Sequence, residues 1–177
     1  VGILDADGLL AFADFRVNER AFQLMEQVSG RAGRKKEQGR VIIQATNTKH
    51  PVLQLVQQHD YKQFYAMEIE NRKQFFYPPY SRLIQLQCRH KEQATAWQAA
   101  ESLAAMLKLR YAKNLSGPAE PPVNKIRNFY ITEIQLKLPP QSAFLQETKT
   151  YIRQCISELL HQPHFKSVFV AIDVDPQ

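Results

Sequence analysis

Gln27-Val28-Ser29-Gly30-Arg31-Ala32-Gly33-Arg34 places two glycines and two arginines at the end of a helical pattern, in a Gln-x-x-Gly-Arg-x-Gly-Arg spacing. Upstream, Asn18 to Val28 carries apolar residues at Ala21, Leu24, Met25 and Val28, the i, i+3, i+4, i+7 repeat of a helix with one buried stripe. Glycine tolerates φ > 0, so Gly30 and Gly33 are expected to stop this helix. Arg31 and Arg34 then stand beside its last turn, pointing out of a thinly covered backbone. Two guanidiniums held that way suit a multidentate anion such as a phosphate. The plainer alternative is a glycine-capped helix whose last turn carries cations because the helix dipole favours them there.

Outward from that helix, Val1 to Leu4 reads as a short buried strand ended by the carboxylate-rich turn Asp5-Ala6-Asp7-Gly8. Such a turn after a parallel strand is where α/β folds put ligand-facing residues; an Asx-type turn that merely reverses the chain is the other reading. Asp14 or Asn18 can cap the arginine-bearing helix. Arg40 to Gln44 follows as a second strand, and its apolar run Val41-Ile42-Ile43 suits a sheet buried on both faces. Residues 1–45 therefore read as one strand–helix–strand crossover. Its bare apolar edges are expected to invite swapping or dimerisation in isolation. His50-Pro51 opens a short helix, since proline favours the first helical position. A second opens near Asp60 and runs with Tyr61, Phe64, Tyr65, Glu68, Ile69 and Arg72 to Phe75 and Phe76. Those aromatics could stack bases, but their helical spacing favours core or interdomain packing. Pro78-Pro79 ends the helix, and the domain boundary is placed between residues 1–80 and 81–177.

Beyond the boundary the pattern changes. Ile84, Leu86 and Cys88 alternate with Gln85, Gln87 and Arg89 as in a half-buried strand. Glu92 to Tyr111 is a helix with Trp97, Ala100, Ala104, Leu107 and Tyr111 on one side. Leu115 to Pro118 reads as a short strand before a rigid Pro121-Pro122 loop, and Tyr130 to Leu138 as a long strand. Phe144 to Leu159 marks a second helix, and Val168 to Val174 a last strand. This βαββαβ order predicts a ferredoxin-like sheet with two helices on one face. Nothing in it has catalytic spacing; His161 and His164 flank Pro163 as surface residues. It reads as a binding or scaffolding module.

The 177 residues carry 23 lysines and arginines against 17 aspartates and glutamates, a net +6. Such an excess permits a polyanionic partner without requiring one. The sharpest cluster is Arg31, Arg34, Lys35, Lys36 and Arg40, opposed only by Glu37. With 44% apolar residues the chain is not of the disordered class. It has no run of 18 apolar residues to span a membrane, and no basic-then-apolar leader is visible. A start at Val1, directly in an apolar run, is how a piece of a longer protein begins. Cys88 and Cys155 are far apart and lack a Cys-x-x-Cys partner, so they read as core thiols, not zinc ligands.

The Gln27–Arg34 run resembles motif VI of the superfamily 2 helicases. The longer series Val1 to Leu10, Asp14-Phe15-Arg16, and Glu19 to Leu24 is similar to one member, the primosomal protein N′ (PriA-type) family of replication-restart helicases. The resemblance continues through Asp60-Tyr61, Tyr77-Pro78-Pro79-Tyr80-Ser81-Arg82-Leu83-Ile84 and the closing Asp173-Val174-Asp175-Pro176. It implies that residues 1–80 are the C-terminal part of a second RecA-like lobe, with Asp5 and Asp7 in motif V near the DNA strand. It also implies that Gln27, Arg31 and Arg34 contact the phosphates of ATP bound with magnesium, Arg34 being the first choice for an arginine finger and Arg31 its companion. Lys35 and Lys36 would approach DNA, with Arg82, Lys125, Arg127, Lys149 and Arg153 weaker candidates.

The family's zinc-binding cysteines would lie outside this chain. Partners implied are branched and single-stranded DNA, the single-stranded-DNA-binding protein and other primosome proteins, in the cytoplasm and without a membrane. Residues 139–153 carry no basic pocket pattern for that protein's acidic tail. The six glycines never form Gly-x-x-x-x-Gly-Lys-[Ser/Thr], and no Asp-Glu box is present. The chain alone is therefore expected neither to bind ATP tightly nor to hydrolyse it. A non-catalytic module binding single-stranded DNA or protein is the competing function.

Overall fold

The structure, a computed structural model, describes residues 1–12, 14–32 and 40–176. The chain divides into two compact units, Val1–Phe75 and Phe76–Gln177.

The first unit runs β1 (Gly2–Ile3), α1 (Ala6–Leu10), α2 (Val17–Ala32), β2 (Ile42–Ile43), α3 (Pro51–Gln58) and α4 (Tyr61–Gln74). β1 and β2 pair in parallel, Gly2 opposite Ile42 and Ile3 opposite Ile43. A parallel pair needs a crossover, and here it contains two helices, not one. The Asp5–Gly8 turn opens α1: Asp5 sits in the left-handed region at φ 55° and its carboxylate accepts from the Gly8 amide at 3.1 Å.

One expectation for α2 fails, and of the two residues offered for its start Asp14 is the one engaged. Gly30 does not stop the helix, which continues to Ala32. Arg31 and Ala32 are strong helix formers, and one glycine costs only about 1 kcal/mol relative to alanine. Gly33 lies outside the described residues. At the other end Asn18 lies inside the helix and its amide reaches Glu68 at 3.4 Å. Asp14 instead secures the start, its carboxylate accepting from the Arg16 amide at 2.9 Å and pairing with Arg20 at 2.7 Å.

Ile42 corrects the expectation of a sheet covered on both faces: it is 70% exposed. An apolar run marks a strand but does not say how many layers flank it. The buried side chains Ile3, Ala6, Ala21 and Met25 pack with Val52, Leu53 and Val56, while Phe22 stacks on Phe64 at 4.2 Å. His50 caps α3 through its ring nitrogen and Asp60 caps α4 through its carboxylate. Of the α4 aromatics only Phe64 is buried; Tyr61 and Tyr65 are 60% and 55% exposed. Of the core or interdomain packing expected of them, core packing is thus realised at Phe64. α4 also ends at Gln74, ahead of the Pro78-Pro79 pair.

The second unit runs β3 (Arg82–His90), α5 (Gln93–Tyr111), β4 (Leu115–Ala119), β5 (Lys125–Ile126), β6 (Phe129–Leu138), α6 (Ser142–His161), a 3-10 turn (Pro163–Phe165) and β7 (Phe169–Val174). The sheet order is β4-β6-β3-β7, every pair antiparallel, with β5 also pairing with β6. Ile84, Leu86 and Cys88 of β3 and Ile134, Leu136 and Leu138 of β6 form one apolar face. α5 and α6 cover it with Ala100, Leu103, Leu107, Ile152 and Leu159. Trp97, expected on the buried side, is half-buried.

Gly117 is required where it stands. Its φ is +96°, and a Cβ there would lie 2.7 Å from the Glu133 carbonyl oxygen. β5 was not anticipated. It forms a hairpin with β6 through Arg127 and Asn128, both at φ > 0, the geometry a tight two-residue turn demands.

Candidate functional site

The arginine-bearing end of α2 is built from the inside outward. Met25 is fully buried and Val28 packs beside it. Ser29 Oγ donates to the Met25 carbonyl at 2.8 Å, and Glu26 meets His59 at 3.0 Å, tying the helix to the end of α3. On the outer side Gln27 and Arg31 are exposed. Four residues apart, they are neighbours on one helix face. Arg31 lies in the last turn, where the dipole favours a cation. Among the described residues no carboxylate pairs with it. A Cβ added at Gly30, beside them, would meet nothing within 4 Å among the described residues. Arg34, Lys35 and Lys36, the other members expected here, lie outside the described residues.

Asp5 and Asp7 sit at the tip of β1, lining a shallow depression of about 320 Å³ with Gln44, Ala45 and Thr46. The Asp7 carboxylate accepts from the backbone amides of Thr46 at 2.5 Å and Asn47 at 3.3 Å. The Thr46 bond holds the Asp7 pKa below its ordinary value. This carboxylate therefore fixes the exit of β2 against α1.

Sequence reasoning missed one cluster altogether. Arg72 of α4 reaches Glu19 of α2 at 2.7 Å and Glu68, one turn earlier, at 3.2 Å, with Glu68 buried. Arg72 also lies over the Phe15 ring at 5.3 Å. The i, i+4 pair on α4 was legible; the partner on α2, 53 residues away, was not.

The basic residues expected to serve the second unit do not converge. Arg82 pairs with Asp175. Lys125 lies over the Tyr130 ring at 4.5 Å. Lys149 and Arg153 occupy the exposed side of α6, while Arg127 stands exposed at the β5–β6 turn. Both thiols are buried, and burial pushes the Cys88 pKa up to about 12.

The second unit coincides closely with a known family. Residues 73–177 match the family model of the primosomal protein N C-terminal domain. The chain belongs to this family.

Relatives of the primosomal protein N C-terminal domain carry the similarity through the first unit as well. The replication restart protein PriA of Synechocystis sp. is 36% identical over 178 residues, covering 99% of this chain and 20% of its own length. PriA of Bacillus subtilis is 36% identical over 180 residues, covering 99% and 22%. PriA of Treponema pallidum is 35% identical over 178 residues, covering 99% and 26%. The chain thus spans roughly a fifth to a quarter of the length of these curated relatives. No helix among the described residues is long and apolar enough to cross a membrane.

Proposed function

We propose that this chain is part of an ATP-driven DNA helicase that restarts replication, residues 1–80 serving the nucleotide and residues 81–177 serving DNA or partner proteins. The observation that carries this reading is the exposed face of α2. Gln27 and Arg31 stand one turn apart there, and Arg31 has no carboxylate partner among the described residues. An exposed guanidinium on a helix braced from within can stabilise charge that develops on a transferring phosphoryl group. On this reading Arg31 and Gln27 contact a triphosphate supplied from another lobe, Arg34, outside the described residues, is the finger, and magnesium is held elsewhere. The names of the relatives support replication restart as the setting.

On this reading the parallel β1–β2 pair with its helical crossover is the end of a RecA-like lobe. The β4-β6-β3-β7 order, with both helices on one face, supports a ferredoxin-like second domain. Asp7 acts on the DNA strand indirectly by fixing the β2–α1 junction, with Asp5 holding the turn. Lys35 and Lys36 remain proposed DNA contacts. Single-stranded-DNA-binding protein and other primosome proteins are the proposed partners, and zinc in the parent would be bound outside this chain.

The test is Arg31→Ala and Arg34→Ala in the full-length parent. DNA-stimulated ATP hydrolysis is expected to fall on the order of 10³-fold or more while DNA affinity is retained. Unchanged turnover removes these arginines from the mechanism. The competing reading, a non-catalytic binding module, rests on the absence of a phosphate-cradling Gly-x-x-x-x-Gly-Lys-[Ser/Thr] from the sequence. It requires the parent's ATPase to be indifferent to both substitutions.

A further inference from the structure

The helices of the second unit pack on the sheet face that carries Ile84, Leu86 and Cys88, and Gln85, Gln87 and Arg89 lie on the opposite face. At one end of that opposite face lies a groove of about 330 Å³ lined by Arg89, Ile126, Arg127, Phe129, Ile131 and Phe169. Its construction follows from register. Arg89 pairs with Ile131 on one side and with Phe169 on the other, so these three form one cross-strand row. Cys88, their neighbour in β3, points into the core, so Arg89 and its row point away from it. The β5–β6 hairpin adds Ile126 opposite Phe129 and raises Arg127 at the turn between them.

Three properties of the groove point to a common ligand. First, its floor is apolar and aromatic yet uncovered: Ile131 is buried, Phe129 is half-buried and Phe169 is 58% exposed. A phenylalanine left that exposed on a sheet needs a reason, because burying such a ring is favourable. Second, the lining contains two guanidiniums and no carboxylate. Arg89 is steered by a neutral group, its Nε donating to Gln87 Oε1 at 3.2 Å, so its charge is left uncompensated. Glu133, two residues along β6 from Ile131, lies outside the lining and accepts from Gln87 Nε2 at 2.7 Å. Third, Arg127 is exposed at the turn and makes no ion pair among the described residues.

Flat rings set between cations without an ion-pair partner among the described residues match an unpaired nucleotide strand, whose bases present π-faces and whose backbone presents phosphates. We propose that this groove is a docking surface for single-stranded DNA, with bases stacked on Phe129 and Phe169 and phosphates met by Arg89 and Arg127. The assignment rests on the reading above that the second unit serves DNA, and it gives that role a location. It also accounts for the failure of the basic residues to converge. Charge need not gather into one patch where stacking supplies part of the affinity and two arginines guide the backbone.

The experiment measures binding of the whole 177-residue chain to a labelled oligothymidylate, and to a strand of equal length made of abasic sites, across a salt series. Wild type is expected to prefer the base-bearing strand. Phe129→Leu and Phe169→Leu keep apolar bulk and remove the flat ring. Each is expected to lose roughly fivefold or more in affinity for oligothymidylate, and together they should bind both strands alike. Arg127→Asn, which suits the left-handed turn, is expected to flatten the dependence of log K on log salt by about one phosphate contact. Photo-cross-linking with a halogenated uracil strand should mark the peptides containing Phe129 and Phe169.

Wild-type affinity in both leucine variants, or cross-links confined to other elements, would overturn the groove while leaving DNA binding by the second unit intact. No binding of either strand by wild type would overturn both. Displacement of a weakly bound strand by an extended peptide that protects β7 amides from exchange would assign the face to a protein partner and also overturn the proposal.

Discussion

The two units solve the same problem, burying an amphipathic chain, to different degrees. In Phe76–Gln177 seventeen buried side chains join one cluster beneath a five-stranded sheet. In Val1–Phe75 ten do so among the described residues, around two strands of two residues each. The first unit compensates with polar ties: Asp14 to Arg20, Glu26 to His59, and Arg72 to both Glu19 and Glu68. Stability scales with buried apolar area, so the second unit carries the greater share by packing. The first relies more on a few directional contacts.

The contrast breaks most sharply in the cores. Leu86→Ala, at a fully buried position of β3, is expected to destabilise the second unit by about 3–5 kcal/mol, read by denaturant titration. Hydrogen exchange should show the first unit little affected; equal loosening of both would mean that they unfold as one.

Arg72→Ala strands the buried carboxylate of Glu68 and is expected to cost about 3 kcal/mol. The extra amide exchange should appear in α2 and α4. The added substitution Glu68→Gln should recover part of the loss, and no recovery would show that the charge pair is not what holds α4 to α2.

The pKa of Cys88 supplies a probe of the second unit alone. Because folding raises it from 9.0 to about 12, the folded state disfavours the thiolate. The associated stability is present below pH 9 and is lost as pH rises through about 12. Native Cys88 should therefore resist alkylation at pH 9 and react only as fast as the unit opens, measured by mass spectrometry.

Gly30→Ala is a milder change in the first unit. Since its Cβ meets nothing within 4 Å, the substitution should stabilise α2 by about 0.5–1 kcal/mol. In the full-length parent the same methyl should lower DNA-stimulated ATPase if a nucleotide must approach that surface. A gain in stability with unchanged turnover would leave the glycine with no functional role.

Asp7 sets the smallest effect. Its lowered pKa means that its contribution is present above the ordinary value of 3.8 and fades as pH falls below it. Protonation should first loosen the Thr46 and Asn47 amides, visible as faster exchange there before any change in β3 or β6.

What could be read from sequence follows the same division. β3 and β6 announce themselves because Ile84-Gln85-Leu86-Gln87-Cys88 and Ile134-Gln135-Leu136-Lys137-Leu138 alternate strictly, and a sheet with one covered face forces that alternation. β5 does not, because its turn uses Arg127-Asn128 in place of a glycine pair; Asn128, tolerant of the left-handed region, between Ile126 and Phe129 was the only local hint. Gly30 was read as a stop because glycine can end a helix, but whether it does depends on tertiary context. Ile42 was read as buried because a string of β-branched residues says strand without saying what lies above it. Gln27 and Arg31 were legible as neighbours, since helical spacing guarantees adjacency. The groove was not, because Arg89, Phe129 and Phe169 come from three strands that only the register brings together.

One carboxylate near the end of the chain reaches further than its size suggests. Asp175 accepts from the Leu83 amide at 3.0 Å, returns its own amide to the Leu83 carbonyl at 2.7 Å and holds Arg82. The opening of β3 and the close of β7 are thereby knotted at a single point. A module whose way in and way out share a doorstep can be carried on a host protein, or re-ordered by joining those two points and cutting elsewhere, without threading any strand through another.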